Sequence, residues 1–209
     1  MTTIFVAGTG TDVGKTWVTV QLIAELRARR HQVFARKPAQ SFTLDERGTT
    51  DAELLAAATG EAPMTVCPPP RWYETPMAPP MAAAALGRPR FTIADLAAET
   101  TTSADGITFV EGAGGPRSPL AEDGDNVAFA RAIGARFVIL VAHAGLGTIN
   151  AVELSVAALS GFETITMLNR FDAIELHERN RAWLERAGHS IATSVGGLAD
   201  QLEARIPAL

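Results

Sequence analysis

The chain has 209 residues, of which 47% are hydrophobic and 20% charged, and its formal net charge is −5. That length and apolar fraction suit one domain over residues 1–209 with a sizeable buried core, and they exclude a disordered chain. The mildly acidic balance makes the chain a poor candidate for nucleic-acid binding through phosphate neutralisation, and the longest apolar stretch (residues 137–142) is far short of the roughly 18 residues of a membrane span.

In chain order, Met1-Thr2-Thr3 opens without a basic region or a long apolar run, so no secretory signal is read. Residues 4–7 predict a buried strand, and residues 17–30 a helix with Val18, Leu22, Ile23 and Leu26 on one face. A second strand is expected over 33–36 and a helix over 51–59. The Pro-rich span 63–80 reads as a long loop. It holds the one cysteine, Cys67, which forbids an intrachain disulfide and fits a reducing compartment, so a cytoplasmic location is expected. Further strands are expected over 107–110, 137–142 and 165–168, with helices near 126–133, 151–159 and 176–187. Strands that are apolar throughout and alternate with helices predict an α/β fold. It would have three layers, a mostly parallel sheet with helices on both faces.

Only two of the 18 basic residues are lysines, Lys15 and Lys37. Lysine is a compact point charge that fits against phosphate where a guanidinium is too wide. Lys15 lies in Gly8-Thr9-Gly10-Thr11-Asp12-Val13-Gly14-Lys15-Thr16, between the first strand and the first helix. A loop ending in Gly-Lys-Thr at a helix N-terminus presents several backbone N–H groups to one anion. Lys15 reaches the terminal phosphates and the Thr16 hydroxyl can ligate Mg²⁺. The loop is one residue longer than the common pattern.

Ligands of such a fold collect at the carboxyl ends of the parallel strands. There the sequence places Lys37-Pro38-Ala39-Gln40-Ser41, then Asp51, then Glu111-Gly112-Ala113-Gly114-Gly115. Gly145-Leu146-Gly147-Thr148-Ile149-Asn150 and Asn169-Arg170-Phe171-Asp172 follow later strands. Asp51 and Glu111 are natural partners for a Mg²⁺ held by Thr16 and a nucleotide, although a first-turn acid such as Asp51 also serves simply to cap a helix. His31, His143, His177 and His189 have no metal-ligand spacing, so no zinc site is expected.

Taken together these segments resemble the dethiobiotin synthetase family over about residues 1–172. The resemblance implies a P-loop NTPase-like fold and an ATP-dependent ligase of biotin synthesis. Its substrates would be 7,8-diaminopelargonic acid, CO₂ or bicarbonate, and ATP. The reaction would pass through a carbamate and a carbamic–phosphoric anhydride to the ureido ring. Lys37, Lys15 and Thr11 would act at the reacting groups, and Ser41 would hydrogen-bond the carbamate or amine. The nucleotide would lie on Asp12, Val13, Gly14, Lys15, Thr16, Trp17, Asp51, Glu111, Gly112, Ala113, Gly114, Asn169 and Arg170. Thr16, Asp51 and Glu111 would hold Mg²⁺. Gly147, Thr148 and Asn150 would take the substrate's carboxylate tail from the second subunit of a homodimer. The sequence departs from the family at Phe42, where Gly is usual, and lacks the Gly-x-x-Pro loop that borders the base, so base preference stays open. An alternative is a partition-type regulatory switch ATPase acting through a protein partner. It is disfavoured by Gly10, where those proteins carry a lysine. No nucleic-acid or membrane partner is expected.

Overall fold

The computed structural model describes residues 2–43, 49–101 and 106–206. The chain opens with β1 (Thr2–Gly8), α1 (Lys15–Ala28), β2 (Val33–Arg36), the two-residue β3 (Gln40–Ser41) and α2 (Asp51–Thr59). Then come α3 (Pro63–Val66), β4 (Trp72–Tyr73), α4 (Pro79–Ala85), α5 (Ile93–Glu99) and β5 (Ile107–Glu111). A small hairpin of β6 (Pro119–Ala121) and β7 (Gly124–Asp125) precedes α6 (Asn126–Ala132). The chain continues through β8 (Phe137–His143), α7 (Thr148–Ala158), β9 (Glu163–Asn169), α8 (Glu175–Arg186), β10 (Ser190–Ala192) and α9 (Val195–Glu203).

Six strands form one sheet in the order β10-β9-β8-β1-β5-β2, and every neighbouring pair is parallel. All seven residues of β1 are buried, because it has a strand on each edge and helices on each face. Alternation along the strand divides its side chains between two cores. Ile4 and Val6 pack with Val18, Leu22, Leu55 and Leu198, from α1, α2 and α9. Phe5 and Ala7 pack with Val127, Phe129, Val152 and Leu184, from α6, α7 and α8. Burying a Phe, Leu or Val side chain contributes about 1.5–3 kcal/mol, so the sheet is held from both faces. The expected three-layer α/β architecture is the one observed.

The Pro-rich span is a correction. Instead of one long loop, residues 63–80 contain α3, a single 3₁₀ turn at Pro69–Arg71, strand β4 and the start of α4. Proline occupies the first turn of α3 and α4, where its missing N–H costs nothing and its fixed φ suits a helix. Tyr73 of β4 is fully buried and stacks on Phe91, which anchors this segment to the second core. Helix α5, strand β10 and helix α9 have no counterpart in the expected elements. Helix α7 begins at Thr148, three residues earlier than expected, and α1 begins at Lys15. No described helix is long and apolar enough to cross a membrane.

Because all six strands run the same way, their carboxyl ends share one edge of the sheet. β1 delivers the Gly-rich loop there, β2 delivers Lys37, β5 ends in Glu111, and β9 ends in Asn169.

Candidate active site

The loop after β1 ends at Gly14, whose φ of 87° lies in the left-handed region. A side chain at this position would also strike the Asn169 carboxamide, so the loop requires glycine here on two grounds. No side chain caps α1, which leaves its first N–H groups available to an anion. Lys15, the first residue of α1, is 8% exposed, and its Nζ lies 3.4 Å from the Gly10 carbonyl. Burial, followed by the charge of Lys37, holds Lys15 below the ordinary lysine range.

Beside the loop, four side chains converge. The Thr16 hydroxyl lies 2.8 Å from Asp51 Oδ1 and 2.8 Å from Glu111 Oε1. Lys37 Nζ donates to Asp51 Oδ2 at 2.6 Å and to Glu111 Oε1 at 2.7 Å, and lies 3.3 Å from the Gly112 carbonyl. Thr19 Oγ1 approaches the other Glu111 oxygen at 3.2 Å. Glu111 is fully buried and Lys37 is 3% exposed, whereas the Asp51 side chain is 40% exposed. Burial pushes Lys37 down, but Asp51 and Glu111 outweigh it and raise its pKa overall. Lys37 in turn holds the Asp51 carboxyl below the usual carboxylate range. Asp51 is fixed as the first residue of α2 by a capping box between Thr50 and Glu53.

This donor set fits Mg²⁺. The Thr16 hydroxyl has one proton for two carboxylate oxygens at 2.8 Å, Asp51 Oδ1 and Glu111 Oε1, so three hard oxygens lie together with one contact that a cation could take in place of a hydrogen bond. Among the described residues no group of three or more His, Cys, Asp or Glu side chains is arranged to hold a metal ion by itself. Mg²⁺ characteristically takes one or two carboxylates and completes its shell with phosphate oxygens and water.

Two cavities flank the loop. The first, of about 470 Å³, is lined by Thr11, Lys15, Lys37, Ser41, Asp51 and Pro79, with Asp12, Thr16, Ala113 and Gly114 also on its walls. The second, of about 560 Å³, is bordered by Asn169, Arg170, Phe171 and the turn Thr193–Ser194–Val195. Gly14 and Trp17 line both, so the phosphate loop runs between them. Ser41 Oγ is buried without a hydrogen-bond partner beside the first cavity.

The structure therefore brings Thr11, Lys15, Thr16, Lys37, Ser41, Asp51 and Glu111 together, as the sequence suggests. Asn169 reaches the second cavity, but its Nδ2 donates to the Val13 carbonyl at 2.9 Å and so ties β9 to the phosphate loop. Gly147, Thr148 and Asn150 line neither cavity. They stand at the start of α7, where Gly147 has a φ of 89°, Leu146 is 92% exposed and Thr148 Oγ1 is buried without a partner.

Three contributors escape the sequence reading. Gln40 lines the first cavity, and nothing in its local pattern marks it. Asn126 clamps the glycine loop after β5, accepting from the Ala113 N–H and donating to the carbonyls of Ala113 and Gly115. The turn at Thr193–Val195 borders the second cavity, and its one signal in the sequence is Ser194, the N-cap of α9.

A parallel sheet with a Gly-Lys-Thr loop at the head of its first helix defines a P-loop NTPase. The AAA domain family matches residues 2–168. A plasmid partition protein from Borrelia burgdorferi has a similar fold, with a TM-score of 0.61 at 10% identity, covering 98% of this chain and 99% of that one. Within this class the sequence relatives are specific. The ATP-dependent dethiobiotin synthetase BioD of Caulobacter sp. (strain K31) is 34% identical, over 99% of this chain and 96% of the relative. The Corynebacterium efficiens enzyme of the same name is 37% identical over 80% of this chain and 75% of its own. That of Rhodococcus jostii (strain RHA1) is 40% identical over 77% and 68%. The chain belongs to the ATP-dependent dethiobiotin synthetase family, P-loop ligases of biotin biosynthesis.

Proposed function

We propose that this chain, acting as one domain and as a cytoplasmic homodimer, carboxylates and cyclises 7,8-diaminopelargonic acid to dethiobiotin. ATP is cleaved to ADP and phosphate in the process. The observation that carries this reading is the convergence of Lys15 and Lys37 on one cavity beside the Thr16, Asp51 and Glu111 oxygens.

One amine of the substrate adds to CO₂, losing a proton, and becomes a carbamate. A carbamate oxygen then attacks the γ-phosphorus and ADP leaves, giving a carbamic–phosphoric anhydride. The second amine attacks the anhydride carbon, loses its proton, and expels phosphate as the ureido ring closes. No protein nucleophile takes part, so the chain acts by positioning and by charge. The loop N–H groups and Lys15 bind the phosphates, with Asp12, Val13, Gly14 and Trp17 shaping that side of the nucleotide. Lys37 faces the carbamate and the transferring phosphoryl group, while Thr11 and Ser41 hydrogen-bond the carbamate or its amine. Asp51, Glu111 and Thr16 would hold Mg²⁺, which when bound neutralises charge on the phosphate oxygens. Gly112, Ala113 and Gly114 border the phosphates, and Asn169 and Arg170 border the base. The uncapped start of α7, at Gly147, Thr148 and Asn150, offers N–H groups to the substrate carboxylate of the other subunit.

Phosphate release from the purified protein with MgATP, with and without the diamine and bicarbonate, tests the reading when product mass is followed in parallel. Release that requires both co-substrates, with a dethiobiotin mass, is the expected result. Release without the diamine, or none, would sink it.

A further inference from the structure

Gln40 is 3% exposed, at the start of β3, and it lines the cavity shared by Lys15, Lys37 and Ser41. Its Oε1 accepts the Ala52 N–H at 3.0 Å, in the first turn of α2. A backbone N–H can only donate, so this bond fixes which end of the carboxamide is oxygen. The Nε2 amide is consequently turned the other way, and it is buried with no hydrogen-bond partner. A buried donor left without a partner is costly, and this one, unlike the buried Thr108 and Thr164 hydroxyls, belongs to a residue that lines a cavity a ligand oxygen can enter. The partner must present an acceptor oxygen, and two lysines on the same cavity favour an anionic one.

We propose that Gln40 is a substrate-binding residue whose Nε2 donates to an anionic oxygen of the carboxylated amine. This rests on the reaction proposed above and adds to it a residue and a polarity. Gln40 holds α2, and with it Asp51, through its oxygen, while its nitrogen grips the reacting group. One side chain thus sets the distance between the carbamate and the residues around the phosphates.

Two substitutions separate the halves of this role. Gln40→Glu keeps an acceptor for the Ala52 N–H but removes the donor, and Gln40→Met removes both without adding charge. Dethiobiotin formation against diamine concentration, and MgADP affinity by calorimetry, are measured for each beside the wild type. In both variants the KM for the diamine is expected to rise about tenfold or more and kcat to fall, while MgADP affinity stays within about threefold. A Gln40→Glu protein with wild-type kinetics would show that Gln40 only pins α2 and would overturn the proposal. Should Gln40→Glu fail to fold, Gln40→Met decides: equal losses in diamine and MgADP binding overturn it, and a loss confined to the diamine supports it. A wild-type protein that makes no dethiobiotin would overturn the reaction itself, and this proposal with it.

Discussion

The edge around the phosphate loop and the corner at the start of α7 are both built from strand ends and helix starts, yet they are finished to different degrees. At the phosphate edge both buried-cluster carboxylates are paired: Lys37 bridges Asp51 and Glu111, and Thr16 and Thr19 hold the remaining carboxylate oxygens, while Lys15 is left with only the Gly10 carbonyl. At the corner Leu146 is 92% exposed, Gly147 leaves α7 without a side-chain cap, and Thr148 Oγ1 has no partner. A buried ionic cluster has to be complete within the fold, because an unpaired buried charge costs several kcal/mol. A half-made corner costs far less, since its unmet groups are few and neutral. The difference teaches that one chain completes its own Lys37–Asp51–Glu111 cluster and leaves the α7 corner unmet, in keeping with the second copy and the substrate carboxylate proposed above.

The largest expected effect comes from breaking the finished edge. Lys37→Ala strips the fully buried Glu111 of its ammonium, and losing one partner of a buried pair costs about 3–5 kcal/mol of stability. Thermal unfolding should move down accordingly, dethiobiotin formation should fall by roughly a thousandfold or more, and MgADP should still bind because the phosphate loop is intact. A variant as stable as the wild type would show that the bridge seen here is not a structural tie. Disturbing the corner should do less. Leu146→Asp places a charge where a second copy would pack; activity should drop about tenfold and the dimer should dissociate in sedimentation, with monomer stability nearly unchanged. Wild-type protein that sediments as a monomer while fully active would remove the dimer reading altogether.

The two regions also differed in how well the sequence announced them. The phosphate loop is contiguous, so its glycines, Lys15 and Thr16 can be read from order alone. Asp51 and Glu111 stand out because an acid at a helix start or a strand end is conspicuous against apolar neighbours. The contact that organises them is not legible: Lys37 and Glu111 are 74 residues apart, and only the β2–β5 pairing makes them neighbours. Amide side chains were harder still. Asn169 is expected on the nucleotide and lines the second cavity, but the hydrogen bond from its Nδ2 to the carbonyl of Val13, 156 residues away, is not legible in the sequence. Gln40 and Asn126 carry no charge and no motif, and their roles follow from which backbone groups happen to lie beside them. Prolines are ambiguous for a different reason. The same residue that breaks a helix interior also begins helices, and α3 and α4 use it in that second way.

The smallest effect is a pH signature that only the finished edge should have. Lys37 holds the Asp51 pKa below its ordinary value near 4, so folding favours the ionised carboxylate. The stabilisation is therefore fully present above the unfolded value and is lost as pH falls through the lower, folded one. Asp51→Asn removes that contribution. Because the side chain is 40% exposed, solvent screening limits it to about 1 kcal/mol. In chelator-treated buffer, denaturant unfolding should show the wild type more stable than Asp51→Asn by a constant margin from pH 7 to about pH 5. The two curves should then converge as the solution is acidified further. Thr148→Val, at the corner, should run parallel to the wild type over the same range, since no ionisable group is involved. A margin for Asp51→Asn that persists undiminished into strong acid would mean the carboxylate stabilises the fold by shape and neutral hydrogen bonding, and the contrast between edge and corner would lose its electrostatic basis.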